Sequence, residues 1–494
     1  MHSLLAALLL APTADAAGYY TSDVGVRAFS RGGAYVAGAN DMLALWYNPA
    51  ALTRVGNGLL TVDAAGVNQR VHFDRKDYPG EGPLDEDGQP TDLINDPITN
   101  GAKTFVIPHM GAAWDFGLPD TTFAIGFYPP YAPDYAYPSQ GPQRYTLVDT
   151  LVIQTFTGAS VAHRLWDRLS VGAGVSWNLL KVEQELKVSI PQNVADLTAN
   201  EDPKYDVGFA MSANDPSALA WNVGLLYEPP SNRWAIGGMV QAPITFNATG
   251  TMQADFRGNF FRDDDVFGVV QQDFARDEEV TLQVTMPLIV KAGALVRPTD
   301  NWEIEVATVY EGWSSIDQIV VKDINLNVPL DQDNAIVQAL GMEDISITDD
   351  VVLPAGYEDS WSIRLGTEWQ ANDKLTLRAG GLYETSAIPE SNQGVSLLDG
   401  DKWGYGLGGT HHFSKRVSYD LGWFQSFIPE RRIEGSSLKS IIVNWQTGEI
   451  VDGRNIGDGV LSSSAILFGA GLNYHFGSAP LRTRKLGHNK PDAG

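Results

Sequence analysis

Apolar and polar residues alternate with a period of two over most of this chain, from about Gly58 onward. In "NWEIEVATVY", Trp302, Ile304, Val306, Thr308 and Tyr310 share one face, and Glu303, Glu305 and Ala307 share the other. In "SWSIRLGTEW", Trp361, Ile363, Leu365 and Trp369 alternate with Ser362, Arg364, Gly366 and Glu368. Such alternation sends the two sets to opposite faces of a sheet. The segments "ALAWNVGLLYE", "DKLTLRAGGLY", "KWGYGLGGTHHF" and "SSAILFGAGLNYHF" repeat the scheme, with Gly, Ser and Asn crowding the polar face. Fourteen strands are predicted, near 58–73, 103–116, 121–129, 148–165, 169–188, 218–228, 232–255, 278–297, 301–321, 360–370, 374–386, 402–413, 417–428 and 464–476. Six of the thirteen connections are tight: "GLPD", "LWDR", "PPSN", "PTD", "AND" and "SKR". They alternate with seven longer ones, such as 74–102, 189–217, 322–359 and 429–463.

Short turns on one rim and long loops on the other are the pattern of an outer-membrane barrel, and an even strand count returns both ends to one side. A closed barrel is also the sheet that leaves no unpaired edge in lipid. The expected fold is all-β: a 14-stranded antiparallel transmembrane β-barrel over 58–476. Aromatics such as Trp221, Tyr227, Trp302, Tyr310, Trp361, Trp369, Trp403, Tyr405, Tyr419 and Trp423 fall mostly near strand ends, where interfacial girdles form. The predicted strands at 169–188 and 232–255 exceed the nine to eleven or so residues needed to cross and should project beyond the outer surface.

Composition adds to this picture. The 494 residues carry no cysteine, so disulfides and thiolate metal sites are excluded. A net charge of −26 argues against nucleic-acid binding through a basic surface. "MHSLLAALLLAPTADA", with its apolar run from Leu4 to Ala11 and its small-residue end, reads as a secretory signal over 1–17, although its first residues lack Lys and Arg. No segment reaches the length of apolar residues that a spanning helix needs. The catalytic motifs G-x-S-x-G, H-E-x-x-H and G-x-x-x-x-G-K-[ST] are absent, and neither a cofactor nor a metal site is expected. The acidic runs at Asp85–Gly88, Asp263–Asp265 and Asp331–Asp333 read as solvated loop surface, with loose cation bridging to lipid head groups as the alternative.

Residues 18–57 differ in kind. "GVRAFSRGGAYVAGANDMLALWYNPAALTRVG" is rich in small residues and lacks strand alternation. Ahead of a fourteen-stranded barrel it has to lie in the lumen or loose in the periplasm, and Gly and Ala suit close packing inside a pipe. Trp46 and Tyr47 then become anchors against the wall. After Phe476 a basic tail, 477–494, follows, read as a periplasmic extension or as a sign that assembly differs.

"RAFSRGGAYVAGANDMLALWYNPAAL" resembles the N-terminal hatch of the FadL/TodX family of outer-membrane channels for fatty acids and other hydrophobic compounds. The resemblance continues through "FVIPHMG", "GPQRY", "MPLIVKAGALVRPTDNWEIEVATVYEGWSSI", "YEDSWSIRLGTEWQANDKLTLRAGGLYETSAIPES" and "YGLGGTHHFSKRVSYDLGWFQSF". It implies a multi-pass protein of the outer membrane, monomeric, surrounded by lipid and lipopolysaccharide and inserted by the outer-membrane assembly machinery. Its ligand would be a hydrophobic small molecule that diffuses passively past the hatch and leaves sideways at a break in the third strand. Asn48, Pro49 and Ala50 match the hatch motif. In the third strand, "TTFAIGFYPPYAPDY", pairing should fail at Gly126, Pro129 and Pro130, because proline removes a ladder donor and glycine permits a bend. The alternative is that Pro129 and Pro130 simply begin the outer loop. Lys291, Arg364 and Arg378 face the lumen by alternation and are candidates for a ligand carboxylate, or else balance lumen acids such as Glu303, Glu305 and Glu368. An outer-membrane acyl hydrolase and an adhesive barrel with acidic loops are the rival readings.

Overall fold

A computed structural model describes residues 24–476, apart from 56–57, 84, 86, 102, 167, 190–200, 256–273, 317, 323–325, 329–331, 334, 336–337, 339–344, 348–350, 355, 397 and 444–449. The expected signal segment, the tail after Phe476 and the acidic run Asp263–Asp265 lie outside the described residues. The wall consists of β1 Leu59–Arg75, β2 Phe105–Trp114, β3 Thr121–Tyr131, β4 Asp149–Leu165, β5 Leu169–Ser189, β6 Asp206–Tyr227 and β7 (Trp234–Gln241 with Ile244–Asp255). It continues through β8 (Phe274–Met286 with Ile289–Thr299), β9 (Trp302–Glu311 with Gln318–Lys322) and β10 (Val351–Pro354 with Ser360–Asn372). β11 Leu375–Glu384, β12 Lys402–His412, β13 Val417–Ile433 and β14 Gly459–His475 complete it. Neighbours pair antiparallel in chain order. β14 pairs along the full length of β1, from Leu59 opposite His475 to Arg75 opposite Gly459, and so closes the barrel.

The outward face explains why the sheet closes in lipid. On β5, Val175 and Trp177 are exposed, and on β6 so are Leu219, Trp221, Val223 and Leu225. Trp302 lies opposite Trp369 at one level, and Tyr310 opposite Trp361 at another. The eight residue steps between them span roughly 26 Å along a strand, or about 20 Å along the membrane normal once the strands tilt by ~40°. That is close to the thickness of an outer-membrane apolar band.

Above this band the outward face turns polar. Lys181 pairs with Glu183 at 2.7 Å on β5, and Thr245 meets Thr285 across β7 and β8. Four consecutive strands, β7 to β10, are interrupted at one level, where Gln241, Ile289, Glu311 and Ser360 are aligned by register. Pro243 and Pro287 occupy two of these interruptions, where a missing N–H costs the ladder least. Beyond them the strands continue as a rim whose interior is apolar, with Leu180, Val182, Val207, Met211, Val280 and Leu282 all buried.

Three strands start well before their sequence pattern predicts: β6 begins at Asp206 rather than near 218, β10 at Val351 rather than near 360, and β14 at Gly459 rather than near 464. In β6 the reason is Pro216, which reads as a loop residue. It sits in a register shift where Asn178 opposes Ala218 and Leu180 opposes Asp215. Asp215 stitches that irregularity, accepting from the N–H of Ser217 and of Asn247 at 2.9 and 2.8 Å.

Candidate functional site: the lumen segment and the β2–β3 wall

Residues 24–55 form two short helices, α1 Val26–Phe29 and α2 Ala44–Tyr47, followed by a 3-10 turn over Pro49–Arg54. Asn48 explains the junction. Its backbone is extended, its side chain accepts from the Ala50 N–H at 3.1 Å, and Pro49 takes the first position of the turn, where no N–H is needed. The Asn48 amide also donates to the carbonyls of Leu225 on β6 (3.0 Å) and Val36 (3.2 Å). Asn48 is fully buried.

The segment lies against inward-facing glycines of the wall. A side chain at Gly366 would meet the Arg31 carbonyl at 2.6 Å, and one at Gly293 would meet the Ala37 nitrogen at 3.0 Å. Gly172, Gly224, Gly380 and Gly406 are similarly crowded by the segment's own backbone or by Asn48. Much of the chain's glycine is therefore spent on close approach rather than on turns.

Charge fixes the segment on one side. An unbroken chain of ion pairs runs Asp41–Arg27 (3.9 Å), Arg27–Asp420 (2.9 Å), Asp420–Arg378 (3.5 Å), Arg378–Glu368 (2.5 Å) and Glu368–Arg31 (3.9 Å). It continues Arg31–Glu303 (2.8 Å), Glu303–Arg297 (3.4 Å), Arg297–Glu228 (3.6 Å) and Glu228–Arg54 (2.7 Å). Glu305, buried beside it, accepts from the N–H groups of Val36 and Ala37, each at 2.7 Å, and from Arg31 at 3.2 Å. The chain lies toward the short-turn end of the barrel, beside Trp302 and Trp369.

The apolar side of the segment faces β2 to β4. Met42 and Leu45 occupy the space beside Gly111 and Gly126. Trp46 packs edge-on against Tyr128 (5.5 Å between ring centroids) and Phe156 (5.9 Å), and these two stack at 4.6 Å. Here the wall is irregular. β2 and β3 pair only from Trp114 opposite Phe123 to Met110 opposite Phe127, although β2 runs back to Phe105. On its other edge β3 follows β4 as far as Tyr128, then slips register to Tyr131 across Pro129 and Pro130.

The sequence-predicted site residues therefore fall into three places. Trp46, Tyr47, Asn48, Pro49 and Ala50 are buried within the segment, with Lys291 on β8 against Trp46 and Tyr47. Pro129 and Pro130 lie at the β3 irregularity, whereas pairing does not fail at Gly126, which stands in register opposite Gly111 on β2 and Gly158 on β4 and touches the segment through Leu45. Arg378 belongs to the ion-pair chain. Arg364 is set apart from both: it holds Glu384 at 3.3 Å, and Glu384 is also held by Lys402 at 2.8 Å. Sequence reasoning missed Tyr128 and Phe156. The inward phase of β4 and the position of Tyr128 beside the proline pair were the signals available.

The chain matches the outer membrane protein transport protein (OMPP1/FadL/TodX) family over residues 7–476. It is 22% identical over 211 residues to the long-chain fatty acid transport protein of Salmonella typhi, a match covering 41% of each chain. Outer membrane protein P1 of Haemophilus influenzae is 22% identical over 340 residues, 64% of each chain. These matches thus span less than two thirds of the curated relatives. Among solved structures, a Pseudomonas aeruginosa FadL homologue superposes with a TM-score of 0.69 at 18% identity, covering 93% of this chain and 99% of that one. The Pseudomonas putida toluene transporter TodX gives 0.61 at 16% identity, covering 94% and 99%.

Proposed function

We propose, given that this chain belongs to the outer membrane protein transport protein (OMPP1/FadL/TodX) family, that it is a passive channel for hydrophobic small molecules, long-chain fatty acids or aromatic hydrocarbons, with residues 24–55 as its hatch. Family membership places it in the outer membrane, among channels rather than enzymes, and the acyl-hydrolase reading falls away. The adhesive reading is retained by no specific contact among the described residues.

In this reading the ligand enters along the apolar interior of the outer rim, where burial contributes about 25 cal/mol per Å². It passes the hatch where Trp46 meets Tyr128 and Phe156, and leaves sideways where β2 and β3 part. One observation carries the choice of a sideways exit: at the short-turn end the segment is tied to the wall from β13 round to β6 by the chain of ion pairs from Asp41 to Arg54, whereas the apolar contacts lead to the β3 irregularity. Taking a greasy molecule through desolvated, mutually paired charges would require breaking them, which is costly. The wall offers an apolar way out.

Uptake of labelled oleate or toluene by cells carrying the protein should exceed that of cells without it, and a version lacking residues 18–57 should lose control of that uptake. Equal uptake with and without the protein would sink the transport reading. The exit is tested separately. Extending the β2–β3 register from Met110 opposite Phe127 places Pro108 opposite Pro129. In this cysteine-free chain, Pro108→Cys with Pro129→Cys, bridged by a short bifunctional thiol reagent, should stop uptake until the bridge is cleaved. Undiminished uptake by the bridged protein excludes sideways release.

A further inference from the structure

Lys291 is 2% exposed, and its ammonium donates to the Trp46 carbonyl at 3.0 Å. The same nitrogen lies 3.9 Å from the Trp46 ring centroid and 5.0 Å from that of Tyr47. A desolvated cation over an indole face is held more strongly than the same pair in water. Trp46 in turn meets Tyr128 and Phe156 edge-on. Tyr128 follows the last residue of β3 paired to β2, and it is the last residue before β3 slips against β4. Lys291, on β8, is therefore joined to the wall irregularity through one side chain of the segment.

We infer that Lys291 is a positioning residue for the wall irregularity: its ammonium holds Trp46 against Tyr128 and Phe156 where β3 parts from β2. The ion-pair chain fixes the segment at Arg27, Arg31 and Arg54. Between those points the stretch that covers the irregularity runs from Ala39 to Tyr47. Lys291 acts on that stretch from the opposite side, pulling on both the carbonyl and the ring of Trp46. Asn222 on β6 also donates to the Leu45 carbonyl at 2.9 Å, so removing the ammonium leaves the anchored ends in place and loosens the middle without releasing it. Arginine keeps the charge, the donors and the ability to stack on a ring. Methionine keeps most of the apolar stem and loses the charge. The meaning of this clamp for transport rests on the sideways-exit reading, while the clamp itself is read without any ligand.

The chain has no cysteine, so a single introduced thiol reports its own surroundings. Met42 is fully buried beside Gly111 and Gly126, and Ser30 is fully buried on the anchored side beside Gly408. The full-length protein in detergent micelles, with the heat-modifiable mobility of a folded barrel, is treated with a small maleimide. Met42→Cys should react slowly, and about tenfold faster once Lys291→Met is added, in line with the loss of one buried cation–ring contact. Lys291→Arg should restore the slow rate. Ser30→Cys should stay slow in both backgrounds. The inference is overturned if Lys291→Met leaves the Met42→Cys rate unchanged, if Lys291→Arg reacts as fast as Lys291→Met, or if Ser30→Cys accelerates equally, which would mean a general loosening. Faster Met42→Cys labelling in a protein that takes up neither oleate nor toluene would support the clamp and sink the transport reading.

Discussion

Asn48 shows how much one side chain can hold. Its amide donates to Val36 and Leu225 and its oxygen accepts from Ala50, with the side chain fully buried. Asn48→Ala leaves three buried backbone groups short of a partner, so the docked segment should lose about 2–4 kcal/mol of stability. Hydrogen exchange should then quicken at residues 36–52 while the strand amides stay protected. Glu305 is a second such residue. Glu305→Ala strands two N–H groups and weakens the setting of Arg31, and should cost about 3–5 kcal/mol of segment docking. Glu305→Gln, which can still accept, should cost less, and chemical denaturation followed by segment-specific exchange would rank the two. The sequence makes the Asn-Pro-Ala turn legible, because cap and proline act locally. It leaves Leu225 unseen, since that partner is 177 positions away.

At the scale of elements, alternation is readable wherever one face meets lipid, because that face is uniformly apolar. Above the membrane the outward face becomes Thr, Asn and Ser, and the same period loses its contrast. Together with Pro216, that is why the first residues of β6 look like loop. The β3 irregularity was legible through Pro129 and Pro130 and not through Gly126, which stays paired on both edges, and its extent was not legible because pairing depends on β2 as well. Glycine also changes meaning with its face. Gly224 points inward, and a side chain there would meet Asn48 and Pro49, whereas Gly66 points outward with its nearest neighbour 3.5 Å away. Gly224→Val should expose the segment to trypsin at Arg54 while the barrel keeps its folded mobility. Gly66→Val should leave both unchanged. Equal sensitivity at the two positions would count against close approach as the reason for the inward glycines.

The whole molecule is also tied together at its long-loop end. Arg75 grips Glu201 with two bonds of 2.6 and 2.7 Å, Arg144 reaches Asp206 at 2.6 Å and the Glu201 carbonyl at 2.6 Å, and Arg454 joins Glu81 at 3.3 Å. Burial alone would raise the Glu201 carboxyl, but Arg75, with Arg144 and Arg454 behind it, holds it below the ordinary glutamate range. A carboxyl depressed in the folded state adds stability above its unfolded pKa and surrenders it as pH falls toward the folded one. Acidification below the ordinary glutamate range should therefore loosen the loops around 76–82, 141–145 and 201–206. Proteolysis there should rise in acid, and Glu201→Gln should show the loosening already at neutral pH. "GPQRY" marked a family likeness in the sequence, yet the work of Arg144 could not be read from it, because Asp206 lies 62 positions on.

The ion-pair chain also constrains the order of events during biogenesis. Its acceptors are spread from Asp41 in the segment through Glu228, Glu303 and Glu368 to Asp420 on β13. No partial wall presents them all, and Arg27 would lack its Asp420 partner in any intermediate without β13. Residues made first are thus the last to find their place, and a docked N-terminus certifies that the cylinder behind it has been completed.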